Sequence, residues 1–314
     1  MKKQLVAHRF ILLLLSFCMS GFVFAQKNVA ITIDDVPNTK QYKTDNYQSV
    51  LLNKIDSMKL PVAIFINEGL IYKTDAIEKN KDLILDWCWL ENVTLGNHTY
   101  SHMRYSDTDL TKYISDIENG ELIMNAIIND DKAMKHFRFP YNDLGKDSLQ
   151  QATIASILKS KNYRITPFTI ESSDYMFNLI YTNHLSKGEL KEAKEIGDLY
   201  VSKTIDFFNF YDSLSNEIYG RSVNQIYLCH DNALNAKFLP TLIEQLKEAN
   251  YNFISLDEAL TDTIYSQESV YFKKWGVSWF YRWMKTPDER KKWMASEPSM
   301  IDVEQAFEEL NKNN

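Results

Sequence analysis

Two adjacent carboxylates, Asp34 and Asp35, end the apolar run "VAITIDD" of residues 29–35. Neighbours on a strand point to opposite faces, so like charges side by side are either solvated in a loop or gathered at a site needing two acids. Further along stand His98 and His102 in "NHTYSH", four residues apart. On a helical turn that spacing puts both imidazoles on one face, where they can hold one metal ion or remain a surface pair. Asp35 as a third ligand completes a three-ligand site with an open position, the type used for metal-assisted hydrolysis. Asp34 is then free to act as general base, and Arg138 in "RFPY" offers a charge partner to orient it and keep it ionised. His230 in "IYLCH" can protonate a leaving group, with Asp174 in "ESSDY" fixing its tautomer and raising its pKa. Each of these residues has a bland reading as a turn acid, a structural Arg or a satisfied His. Their common place after apolar runs is what points to chemistry.

Parallel β/α folds bring residues together in this way, at the C-terminal ends of strands. Strand-like runs recur at 28–33, 60–66, 92–97, 135–140, 162–170, 224–230 and 251–256. Helical spacing fills the gaps, at 46–59, within 109–128 and at 190–214. Seven such strands suit a distorted (β/α) barrel better than an open sheet, although periodicity alone also allows a doubly wound sheet. From about residue 264 the pattern becomes aromatic-rich ("VYFKKWGVSWFYRW", 270–283) and then helical and charged. Residues 26–263 are therefore expected to form the barrel and 264–314 an extension packed on it. Trp275, Trp279 and Trp283 fall four apart, which on a helix makes a stripe. Such a stripe serves packing more often than ligand stacking.

The first 25 residues read as a secretory signal, with a basic start, an apolar stretch and Ala25 before the cut. The mature protein is expected to be exported, periplasmic or secreted, with no membrane span. Its formal charge would go from −7 to −10 as Lys2, Lys3 and Arg9 leave without any acid. That charge disfavours nucleic acid and suits neutral or cationic substrates. Cys88 and Cys229, the two cysteines beyond the signal, are expected as free buried thiols rather than a disulfide.

"TIDDVP", "HTYSH", "RFPY", "ESSDY" and "IYLCH", in that order, resemble the motifs of the polysaccharide deacetylase family, the NodB-homology (carbohydrate esterase family 4-like) enzymes. The resemblance spans residues 28 to about 260. It implies a metal-dependent hydrolase that removes N- or O-linked acetyl groups from a carbohydrate, with one divalent ion, best Zn²⁺, on Asp35, His98 and His102. Asp34 would be base, with Arg138 orienting it. His230 would be acid, with Asp174 as its partner. The Tyr141 N–H would bind the oxyanion, and Leu228 would line the acetyl pocket. Two departures, Val36 for a glycine and Tyr175 for a tryptophan, touch the substrate more than the reaction. A non-catalytic carbohydrate-binding protein and a deacylase of a small amide are the competing readings.

Overall fold

The computed structural model describes residues 27–122, 125 and 136–312; the signal segment lies outside them. The strands are β1 (Lys27–Val36), β2 (Val62–Ile66), β3 (Val93–Asn97), β4 (His136–Phe137), β5 (Arg164–Ile165), β6 (Ile170–Glu171), β7 (Gln225–His230) and β8 (Tyr251–Phe253). Every pairing is parallel, in the order β5-β4-β3-β2-β1-β7-β6, and β8 joins the first residues of β1. This is the expected distorted barrel, with seven strands in one path, β8 attached beside β1, and helices outside.

The central strands are buried on both sides, so they read as continuous apolar runs without polar alternation. Val29, Ile31 and Ile33 of β1 join the large cluster with the outer helices. Ala30 joins Ala63, Phe65, Ile226 and Ile254 in a separate inner cluster. Thr32 and Asp34 continue that inner face towards the C-terminal end of the strand. On β7, Ile226, Leu228 and His230 share one face by the same period of two. The barrel interior is thus apolar below and polar at its upper rim.

The run 162–170, expected as one strand, is two. β5 pairs with β4 and β6 pairs with β7, while the residues between belong to neither strand. Pro167 has no N–H to continue a ladder. Its neighbours still attach, Thr166 N–H to the Phe137 carbonyl and Thr169 N–H to the Ile226 carbonyl. A single segment therefore leaves one edge of the sheet and joins the other. The barrel is closed by covalent chain, and among the described residues β5 and β6 form no ladder.

The long helical pattern is realised and extended, as Leu190–Tyr219 closed by Gly220 at φ 69°. The 46–59 pattern gives Val50–Met58, capped by Ser49, and the 109–128 pattern gives Leu110–Asn119, capped by Asp109. Residues 123–124 and 126–128 of that last pattern lie outside the described residues. Cys88 and Cys229 are buried and form no disulfide with each other.

The three-indole stripe does not form, because the helix that carries two of these indoles spans only Trp279–Trp283. Trp283 is 7% exposed and joins Phe280 and Tyr281 in the main core, whereas Trp275 lies before the helix and is 60% exposed. The tail is tied to the barrel by Ser278 Oγ, which donates to the Thr169 carbonyl at 2.7 Å, and by Trp279 N–H, which donates to the Phe168 carbonyl at 3.0 Å. Among the described residues no helix is long and apolar enough to cross a membrane.

Candidate metal centre and active site

Asp34 is the last inward residue of β1, paired in register with His230 of β7. Regular pleating would turn Asp35 away. Instead the ladder to β2 shifts between Ile33 and Val36, and Asp35 takes a left-handed conformation at φ 60°. Such an irregularity re-aims a side chain at a barrel rim. Both carboxylates thereby reach one site. Asp35 Oδ1 lies 3.6 Å from His98 Nε2, and Asp34 Oδ2 lies 3.9 Å from the same nitrogen.

His98 and His102 converge, though not on a helix. Residues 98–104 form a loop in which Thr99 and His102 both have positive φ, 66° and 57°. Asparagines hold that loop from behind. Asn97 Oδ1 accepts from Thr99 N–H at 2.7 Å, while its Nδ2 donates to the Ile117 carbonyl and the Tyr163 hydroxyl. Asn67 Nδ2 donates to the His98 and Thr99 carbonyls. His102 Nε2 ends 3.3 Å from Asp35 Oδ1.

One nitrogen from each imidazole and one Asp35 oxygen lie within 4.8 Å of one another. His98 Nδ1–H donates to the Arg138 carbonyl at 2.8 Å, which leaves the Nε2 lone pair towards Asp35. Burial, reinforced by His102, pulls His98 down to about 3, so its imidazole is neutral, the ligand form. Ligands bonded at about 2.0–2.1 Å in a tetrahedron sit roughly 3.4 Å apart. The separations of 3.3 and 3.6 Å bracket that value, so the donor set fits a divalent metal such as Zn²⁺.

Asp34 is 2% exposed, and its Oδ1 has no hydrogen-bond partner. Burial raises its pKa above the usual carboxylate value and Arg138 opposes the rise. Arg138 Nη1 is 3.7 Å from Asp34 Oδ2. Its Nη2 donates to Thr32 Oγ1 and the Pro167 carbonyl, and its plane lies over Phe65. The segment that closes the barrel thus also helps fix the arginine.

Opposite, His230 Nδ1–H donates to Asp174 Oδ1 at 2.6 Å, and His230 N–H to Asp174 Oδ2 at 2.9 Å. Burial alone would lower the pKa of His230, but the Asp174 carboxylate outweighs it and lifts it to about 10. Asn232 and Asn235 Nδ2 also donate to Asp174 Oδ2. Sequence reasoning passed over these two asparagines. Their signal was N-x-x-N at a helix start, since Asn232 caps Ala233–Glu248 through Asn235 N–H. Glu171 was passed over as well. Burial first, and Asp174 next, push its carboxyl up to about 7.

Tyr141 follows Pro140 with φ 58°, and its ring centroid is 4.6 Å from that of His102. Leu228 is buried in the inner face between Ile226 and His230. The structure therefore brings Asp34, Asp35, His98, His102, Arg138, Tyr141, Asp174, Leu228 and His230 to one end of the barrel.

Residues 23–157 match the family model for polysaccharide deacetylase. This stretch is similar to the polysaccharide deacetylase family. No curated protein matches the chain. Among solved structures, a chitin deacetylase from the fungal pathogen Colletotrichum lindemuthianum is 23% identical with TM-score 0.50, over 76% of this chain and 90% of that one. A Streptococcus mutans CE4 esterase is 16% identical with TM-score 0.50, over 74% and 86%. A CE4 family pseudoenzyme from Bacillus anthracis is 15% identical with TM-score 0.50, over 75% and 66%. These likenesses concern the fold of the deacetylase barrel.

Proposed function

We propose that this chain is a member of the polysaccharide deacetylase family and a metal-dependent hydrolase that removes N- or O-linked acetyl groups from a carbohydrate. The observation that carries the reading is the convergence of a complete set: a buried carboxylate with one unpartnered oxygen, a three-ligand cluster and a histidine hydrogen-bonded to its own carboxylate. A divalent ion held by Asp35, His98 and His102, Zn²⁺ fitting best, would supply a Lewis acid for the acetyl carbonyl and for water.

The protein's own groups account for the proton traffic. Asp34 takes a proton from the attacking water through Oδ1, with Arg138 keeping the carboxylate ionised against its burial. The Tyr141 N–H donates to the oxygen that becomes negative at the acetyl carbon. Leu228 gives the acetyl methyl an apolar surface inside the barrel. His230, cationic at neutral pH, protonates the departing nitrogen or oxygen, and Asp174 holds its tautomer. Asn232 and Asn235 fix Asp174 in turn. Residues 26–263 act as the catalytic barrel and 264–314 as its packed extension. The signal-like composition of residues 1–25 supports export as part of this reading.

A fold shared with a pseudoenzyme does not by itself imply turnover, which is why the complete residue set carries the argument. Metal-loaded protein is expected to release acetate from at least one of chitin oligomers, peptidoglycan fragments and acetylxylan. Absence of acetate from all three would favour a carbohydrate-binding protein. Equal rates on single acetylated units and long oligomers would favour a deacylase of small amides.

A further inference from the structure

Trp275 is 60% exposed on a backbone that is firmly held. Its carbonyl accepts from Arg282 Nη2 at 3.3 Å, and the same nitrogen donates to the Asn142 carbonyl at 3.3 Å. Arg282 Nη1 donates to the Tyr271 carbonyl. The guanidinium is wholly buried, over the rings of Tyr271 and Trp279. The next residue, Gly276, lies so close to the Tyr141 carbonyl that a Cβ would overlap it, and that Cβ would also stand 2.7 Å from Asn142 Cβ. The backbone bearing the indole is thus seated on the loop of Tyr141, whose ring lies against His102.

A single exposed aromatic needs no special explanation on an ordinary surface. Trp275 differs in two respects. The same tail buries Phe280, Tyr281 and Trp283, so this stretch can pack its aromatics, and it leaves Phe272 and Trp275 exposed. Of these two, Trp275 stands on a held backbone beside the loop of half-exposed Tyr141. An indole, with two rotatable bonds, offers a broad apolar face with little side-chain entropy to lose on binding. A pyranose ring presents a complementary apolar C–H face rimmed by hydroxyls. The Lys274 ammonium lies over the Trp275 ring, 5.4 Å from its centroid, as a cation–π neighbour.

We propose that Trp275 is a sugar-stacking platform, a subsite for a unit of the substrate chain next to the one that loses its acetyl group. The inference rests on the deacetylase reading above and extends it to chain-length preference. It also assigns the tail a part in recognition.

The test compares hexamers and dimers of N-acetylglucosamine, of peptidoglycan fragments and of acetylxylose, using metal-loaded full-length protein. Wild type is expected to favour hexamers in kcat/KM, and Trp275→Ala to lose about tenfold of that ratio through KM. Trp275→Tyr, which keeps an aromatic face, is expected to recover most of it. An unchanged hexamer-to-dimer ratio in Trp275→Ala would overturn the proposal. If wild type releases no acetate, the deacetylase reading fails and equilibrium binding of the same hexamers decides the subsite. About tenfold weaker binding by Trp275→Ala would support the platform. Equal affinity, or no hexamer bound by wild type, would overturn it.

Discussion

Asp34→Asn is expected to keep full metal occupancy and to lose roughly 10²–10⁴-fold in acetate release. The substitution preserves shape and removes basicity. Asp34 stands outside the three-residue ligand group, with Oδ1 unpartnered and Oδ2 beside Arg138. A base must be ionised to act. Burial raises the pKa of this carboxyl, and Arg138 is the group that holds the charge in place. Metal content and turnover should be measured on the same sample. Loss of metal together with activity would make Asp34 a ligand, and a near wild-type rate would pass the base role to another residue.

The second large effect belongs to His230 and is read from a pH profile. An acid catalyst works in its protonated form, so the rate should fall as pH rises through the His230 pKa. The Asp174 carboxylate lifts that pKa to about 10 against the opposing effect of burial. His230→Ala should lower turnover roughly 10²–10⁴-fold and abolish the basic limb. Asp174→Asn leaves the imidazole but removes the anion that favours its charged form. The basic limb should then move to lower pH, with the acidic limb unmoved. A limb that stays put or moves upward in Asp174→Asn would place the general acid elsewhere.

Most of the site was legible because apolar runs end in polar residues where a β/α barrel gathers them. The local routes were less so. Convergence of His98 and His102 was expected from a helical turn, yet it comes from a loop with two positive-φ residues braced by Asn67 and Asn97. Their spacing was informative for another reason than the one it suggested. The Asp34–Asp35 pair posed a two-face problem that alternation could not answer. A register shift and one left-handed residue answer it; aspartate tolerates that conformation better than most residues but does not by itself announce it.

The run 162–170 looks like a strand because its residues favour extended backbone. Its division between two sheet edges depends on tertiary pairing that composition does not encode. Asn232 and Asn235 look like helix-capping residues, which Asn232 is. Their second use, holding Asp174, shows only when three elements meet. Equal spacing of Trp275, Trp279 and Trp283 suggested one environment for all three, but the helix begins at Trp279 and separates them.

The central claim, hydrolysis at a single metal site of Asp35, His98 and His102, is tested most directly by metal titration with acetate release as the readout. Chelated wild-type protein and His102→Ala would each be titrated with Zn²⁺, following bound metal and turnover of an acetylated oligosaccharide together. Wild type is expected to regain activity in proportion to metal and to saturate at one equivalent, while His102→Ala neither holds stoichiometric metal nor turns over. Full occupancy in His102→Ala, or undiminished turnover in chelated wild type, would contradict the account.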